Sequence, residues 1–158
     1  MSSGYSVLDA DDKVLLLKTT ESTDPIVGTV WELPGGGIEA GGGWADAAGR
    51  ELHDETGLTT DATHLSEPAW QRTATYRYRG HRRLQHERVV MVRLPERQPQ
   101  VSGRNRTDDE RNDCIGSRWW PIEEIVNSSE RFYPGRLPSL LPRVLSGQPV
   151  TEPFERWP

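Results

Sequence analysis

The order of elements along this 158-residue chain predicts an α/β sandwich. Three observations carry that expectation. Short strand-like runs dominate the first hundred residues. An amphipathic run with a glycine stop interrupts them at residues 44–56, and helical segments return after Trp120.

Tyr5–Leu8 and Lys13–Lys18 read as two strands, and Asp9-Ala-Asp-Asp between them supplies turn residues, so a hairpin is expected. Thr20–Gly28 is a polar loop. Thr29–Leu33 is extended, because Pro34 biases Leu33 away from the helical region. A helix is predicted from Trp44 to Thr56, with Ala47, Ala48 and Leu52 on its buried side and Gly57 as its stop. Strands follow at Thr63–Leu65, Thr73–Tyr78 and Arg88–Leu94, the last two joined by a turn at Gly80. Pro95–Asp113 is polar, charged and without periodicity, and reads as a long loop. Ile115–Trp120 returns to strand, Pro121 opens a short helix, and Leu137–Ser146 is a final helix interrupted by Pro142. No internal repeat is present, and the length suits a single domain over residues 1–158.

Composition narrows the class. Hydrophobic residues make up 34% and mean hydropathy is −0.72; with 12 prolines and 15 glycines this implies much loop. The longest aliphatic run, Val14–Leu17, is too short to span a bilayer, and the start of the chain has no basic segment leading into an apolar stretch. One cysteine, Cys114, cannot form an internal disulfide. A cytoplasmic protein without membrane contact is expected. Net charge is −5, yet eleven arginines face five acids between Arg72 and Arg111. That asymmetry suits a site holding a phosphate chain between acid-bound cations and arginines. The negative balance and the lack of a recognition motif speak against nucleic acid as a partner.

The most informative segment is residues 36–58. A glycine loop leads into a run carrying Arg50, Glu51, Asp54 and Glu55, which ends at Gly57. On a helix Glu51, Asp54 and Glu55 share a face and present three carboxylates to one spot. Such a cluster suits a hard divalent cation. The segment resembles the Nudix box of the Nudix hydrolases, G-x5-E-x7-R-E-U-x-E-E-x-G-U with U bulky and aliphatic. Gly36, Arg50, Glu51, Leu52, Glu55, Gly57 and Leu58 match it, and Leu33-Pro34-Gly35-Gly36 resembles the family's entry into the loop. Gly42 stands where the pattern has its first glutamate, and Asp54 replaces the first of the Glu-Glu pair.

The resemblance implies a Nudix-type α/β/α sandwich with a mixed sheet, and hydrolysis of a pyrophosphate bond in a nucleotide or other nucleoside diphosphate derivative. It implies Mg²⁺ as cofactor, with Mn²⁺ as a substitute. Glu51 and Glu55 become metal ligands, and Arg50 holds Glu51 in position. Asp54 is shorter than glutamate by one methylene, roughly 1.5 Å, and reaches the metal through water. Glu39 is a candidate replacement for the carboxylate lost at Gly42. A further carboxylate from outside the box is expected as base or ligand, with Glu110 the first candidate and Glu87 the second. Gly36 and Gly37 of the loop, Trp31, and Tyr76 are the candidate substrate contacts; Trp70 and Tyr78 are further aromatics able to stack a purine. A homodimer is an admissible assembly. The competing class is a Nudix-fold nucleotide-binding or regulatory module whose site is degraded at Gly42 and Asp54. Retention of three acids and the arginine favours the enzyme.

Overall fold

The computed structural model describes residues 2–20, 28–37, 43–66 and 70–157. Glu39 and Gly42 lie outside them. The architecture is a mixed, curled sheet with helices on both faces, as the sequence predicts. β1 (Ser2–Leu8) turns into β2 (Val14–Thr20), antiparallel to it. Asp9 makes that turn: its Oδ1 accepts from the amides of Asp11 and Lys13, each at 2.9 Å. β3 (Thr29–Glu32) runs antiparallel to β2, and β4 (Gly35–Gly37) pairs antiparallel with the start of β1. β5 (Trp70–Tyr78) and β6 (His81–Arg93) form a long hairpin. Its turn residues Arg79 and Gly80 have φ of 51° and 77°, the left-handed pair a tight two-residue hairpin needs.

β6 lies parallel to β1, with Ser2 opposite Glu87 and Leu8 opposite Arg93. β7 (Cys114–Trp120) runs antiparallel to β2, and β8 (Phe132–Tyr133) lies parallel to β3. β9 (Val150–Thr151) and β10 (Glu155–Arg156) add in parallel to β5.

The strands carry near-continuous aliphatic runs because both faces are buried. Tyr5, Val7, Leu15, Val90 and Val92 face α1 (Trp44–Thr56) and meet Ala48 and Leu52. Leu8, Val14, Leu16 and Val89 point the other way, into a larger cluster with α3 (Ile122–Asn127) and α4 (Leu137–Leu145). Each fully buried Leu or Val adds roughly 1.5–3 kcal/mol, so this alternation fixes strand register firmly.

Three sequence expectations change. Thr63–Leu65 is not a strand: Ala62–His64 forms a 3-10 turn, with the Asp61 carboxylate accepting from the Thr63 amide, and only Leu65 bridges to Val92. The long loop contains α2 (Asp108–Asp113), started by a capping box in which Thr107 and Glu110 bond each other's amides. The short strands β8, β9 and β10 have no counterpart in the sequence reading.

Candidate functional site

α1 ends where its last turn can be fastened from two sides. Gly57 is left-handed (φ 72°) and its amide bonds the His53 carbonyl at 2.8 Å. A side chain there would also meet Ser102, whose Cβ would lie 3.0 Å from the new Cβ. The Ser102 amide donates to the Thr56 carbonyl at 2.8 Å, and Arg106 Nε donates to the Glu55 carbonyl at 2.7 Å. The segment after Pro95 is thereby bound under the end of the helix, and it delivers α2 to the same place as Glu55.

A cavity of about 540 Å³ opens there, between the end of α1, the strands β2, β3, β5 and β6, and α2. Its lining mixes acids with aromatics: Glu32, Glu55, Glu87, Glu110 and Asp113 with Tyr76, Tyr78, Tyr133 and Trp157, beside Gly35, Gln85 and Arg106. Glu32 stands directly opposite Tyr133 in the β3–β8 pair, so the two kinds of side chain are interleaved.

Three of these carboxylates, Glu32, Glu55 and Glu87, are crowded and poorly solvated. Glu55 accepts from the Gly35 amide at 2.9 Å, yet burial holds its carboxyl well above the usual range. The nearby charges of Glu32, Glu110 and Glu51 push it further. Burial raises Glu32 to about 7, with Glu87 and Asp113 adding to the shift and a hydrogen bond with Thr19 opposing it. Burial also raises Glu87, although Arg72 and Tyr133 donate to it. The Arg72 guanidinium is shared: it pairs with Glu87, with Glu152 at 2.9 Å and with Glu155 at 2.6 Å.

The residues singled out in the sequence fall into three groups. Glu55 and Glu110 come together at the cavity, and Glu51 lies close enough for its charge to act on Glu55. Tyr76 and Glu87 line the same cavity. Gly36 and Gly37 stand in β4 opposite Ser3 and Ser2, directly after the Gly35 amide that holds Glu55. Arg50 is exposed on α1, Asp54 is half-buried, and the described lining includes neither. Trp31 requires correction as a substrate contact. It turns into the core, edge-on to Trp120 at 5.3 Å and in the cluster with Phe132, because alternation along β3 puts Val30 and Glu32 on the cavity side. Trp70 is likewise fully buried, donating to Glu152 at 2.9 Å.

Sequence reasoning missed Glu32, Asp113, Arg106, Tyr133 and Trp157. Glu32 had a usable signal, an acid between Trp31 and Leu33 in a β-patterned run, which needs a reason to be there.

Glu32 and Glu55 fit a hard divalent cation: both carboxyls are raised by burial, the charge of Glu32 raises Glu55 further, and such an ion neutralises that repulsion. Among the described residues no three acids, histidines or cysteines stand ready as a closed ligand set.

Comparison with known proteins agrees with the fold. The family model for the NUDIX domain matches residues 3–141. An RNA pyrophosphohydrolase of Ruthia magnifica subsp. Calyptogena magnifica is 27% identical over 156 residues, covering 92% of this chain and 83% of the relative. The NUDIX domain of Shewanella oneidensis NrtR, solved with ADP ribose, superposes with a TM-score of 0.61 at 16% identity, covering 91% of this chain and 86% of that one. A C. elegans Ap4A hydrolase, solved as a binary complex, gives 0.57 at 19% identity, covering 92% and 97%.

Proposed function

The chain belongs to the NUDIX family, and from that premise we propose that it is a divalent-metal-dependent hydrolase of the pyrophosphate bond in a nucleoside diphosphate derivative. The observation that carries this reading is one cavity lined by both repelling carboxylates around Glu55 and aromatic rings. A nucleotide offers a partner to each, a charged phosphate chain and a flat base.

Glu51 and Glu55 are the residues that would hold Mg²⁺ or Mn²⁺, with Asp54 acting through water. When bound, the ion neutralises the phosphates and lowers the pKa of water. This chain's residues do the rest. The Gly35 amide orients the Glu55 carboxylate. Arg106 and Arg77, both in the cavity lining, offer guanidinium donors to phosphate oxygens. Glu110, on a rigid capped turn, is the group that takes a proton from the attacking water, and Glu32, raised to about 7, is the second carboxyl able to hold one near neutral pH.

A second reading keeps the site for binding without turnover. It is favoured by the two departures from the box, at Gly42 and Asp54, and by the NrtR domain, which holds ADP ribose. One assay separates the two: phosphate or nucleotide release from ADP ribose, diadenosine tetraphosphate, nucleoside triphosphates and 5′-triphosphorylated RNA, with Mg²⁺ or Mn²⁺ and an EDTA control. Metal-dependent release from one of these is the expected result. Binding without release supports the second reading. The RNA substrate belongs in the panel because of the RNA pyrophosphohydrolase relative, although the net charge of −5 argues for a small nucleotide.

A further inference from the structure

We propose that the segment Val150–Trp157 is a specificity element of the cavity, building the wall against which the nucleobase of the substrate packs; this rests on the nucleotide reading above. The segment lies beyond residues 3–141, the span matched by the family model.

The segment is held by more than proximity. β9 and β10 extend the sheet along β5, and the Trp157 amide donates to the Thr75 carbonyl at 2.8 Å. Trp157 Nε1 donates to the Phe132 carbonyl at 3.2 Å, and Arg82 donates to the Trp157 carbonyl at 2.9 Å. The indole is thereby seated in the cavity lining at 5% exposure.

Its neighbours make it part of a corner. Tyr133 meets Trp157 edge-on at 5.3 Å, and Tyr76 meets Tyr133 edge-on at 5.9 Å. The half-buried Tyr76 and Tyr133 both reach the cavity and offer ring surface to a flat partner. One face of the indole is covered by Arg131, 4.3 Å from the ring centroid, and one face of Tyr133 by Arg72 at 4.9 Å. Arg72 locks the corner to the segment. Its Nε donates to Glu152 at 2.9 Å and its Nη2 to Glu155 at 2.6 Å, while its Nη1 donates to Glu87 and, at 3.1 Å, to Tyr133. One buried guanidinium therefore ties two carboxylates of the segment to two side chains of the cavity wall. Arg72 and Glu155 are positioning residues in this arrangement, and Trp157 is a contact.

The test is a binding titration in EDTA with adenosine and guanosine 5′-monophosphate, and with ribose 5-phosphate, which keeps sugar and phosphate and lacks the base. Wild type is expected to bind at least one nucleotide about tenfold or more tightly than ribose 5-phosphate, the scale of one base–aromatic contact. Trp157→Ala should remove most of that preference and leave ribose 5-phosphate binding unchanged, while Trp157→Phe should keep it. Glu155→Gln leaves the indole in place, loosens one arm of Arg72, and should give a smaller loss of the same preference. An equal loss for both ligands, or an unchanged preference in folded Trp157→Ala, overturns the proposal. If circular dichroism shows that Trp157→Ala does not fold, Glu155→Gln decides, and an unchanged preference there overturns it. The preference with no hydrolysis of any substrate would keep this wall and defeat the hydrolytic reading. Hydrolysis without the preference would do the reverse.

Discussion

The Glu55 carboxylate accepts a 2.9 Å hydrogen bond from the Gly35 amide, twenty residues earlier in the chain, and so pins the end of α1 to the start of the glycine strand. The bond orients a carboxylate that burial and three neighbouring acids would prefer protonated. Glu55→Gln keeps the size and can keep the Gly35 contact, but removes the charge. Turnover should fall at least ~100-fold, the scale of losing charge stabilisation in a transition state. The midpoint of thermal unfolding in EDTA should rise at pH 8, because an unfavourable buried charge is gone. Near-wild-type turnover in Glu55→Gln, or activity untouched by EDTA, would remove Glu55 from the metal site.

The pH dependence of the metal-free protein follows from Glu32. Its folded pKa is raised, from 4.5 to about 7, so the folded state favours the protonated form. The associated stability is fully present below pH 4.5 and is lost as pH rises through about 7. Glu55 is raised for the same first reason, burial, and works in the same direction. Thermal melts in EDTA should therefore show Glu32→Gln gaining on wild type at pH 8 and matching it at pH 4.5. A gain of equal size at both pH values would mean that the charge of Glu32 is not the cause.

Glu110 carries two roles that separate by substitution. Its side chain closes the capping box with Thr107, and it lines the cavity. Gln also serves at this capping position, so Glu110→Gln should keep α2 and lower kcat with little change in KM. Glu110→Ala should in addition loosen α2, visible as faster amide exchange over Asp108–Asp113. If Glu110→Gln turns over like wild type while Glu87→Gln does not, the proton-accepting role passes to β6.

Much of this molecule was legible in the sequence, and the boundary between legible and hidden is physical. The helix from Trp44 to Thr56 was readable to the residue because its stop is chemical: Gly57 takes a left-handed φ that other residues resist. The hairpin turn at Asp9 was readable for a similar reason, a side chain that bonds its own backbone. α2 was missed although Thr107-Asp-Asp-Glu110 is a capping box in plain view; six residues carry too little periodicity to show as a helix. Tyr133 and Trp157 were missed because two-residue strands such as β8 and β10 have no pattern of their own and form only against β3 and β5. Trp31 was read as facing substrate and Glu32 was not singled out, since four residues of strand leave alternation open to either phase.

Arg72 offers a prediction about stability in place of catalysis. Its side chain is fully buried, as is that of Glu152, and Glu87 and Glu155 are nearly so. Replacing it by methionine takes the shared cation from three carboxylates in a low-dielectric interior, of which Glu152 keeps Arg136 at 3.0 Å and the Trp70 indole. Breaking such a pair from one side costs about 3–5 kcal/mol. Arg72→Met should therefore unfold at markedly lower urea concentration than wild type, with an unchanged m-value. Adding Glu152→Gln and Glu155→Gln should recover a large part of the loss, because the residual cost is carried by the unpaired acids and not by the missing guanidinium. Lowering the pH towards the carboxylate range should shrink the difference between Arg72→Met and wild type for the same reason. If the triple variant is no more stable than Arg72→Met alone, the network's contribution lies in the packing of Arg72 against the Tyr133 ring, 4.9 Å from the guanidinium carbon, and not in its charge.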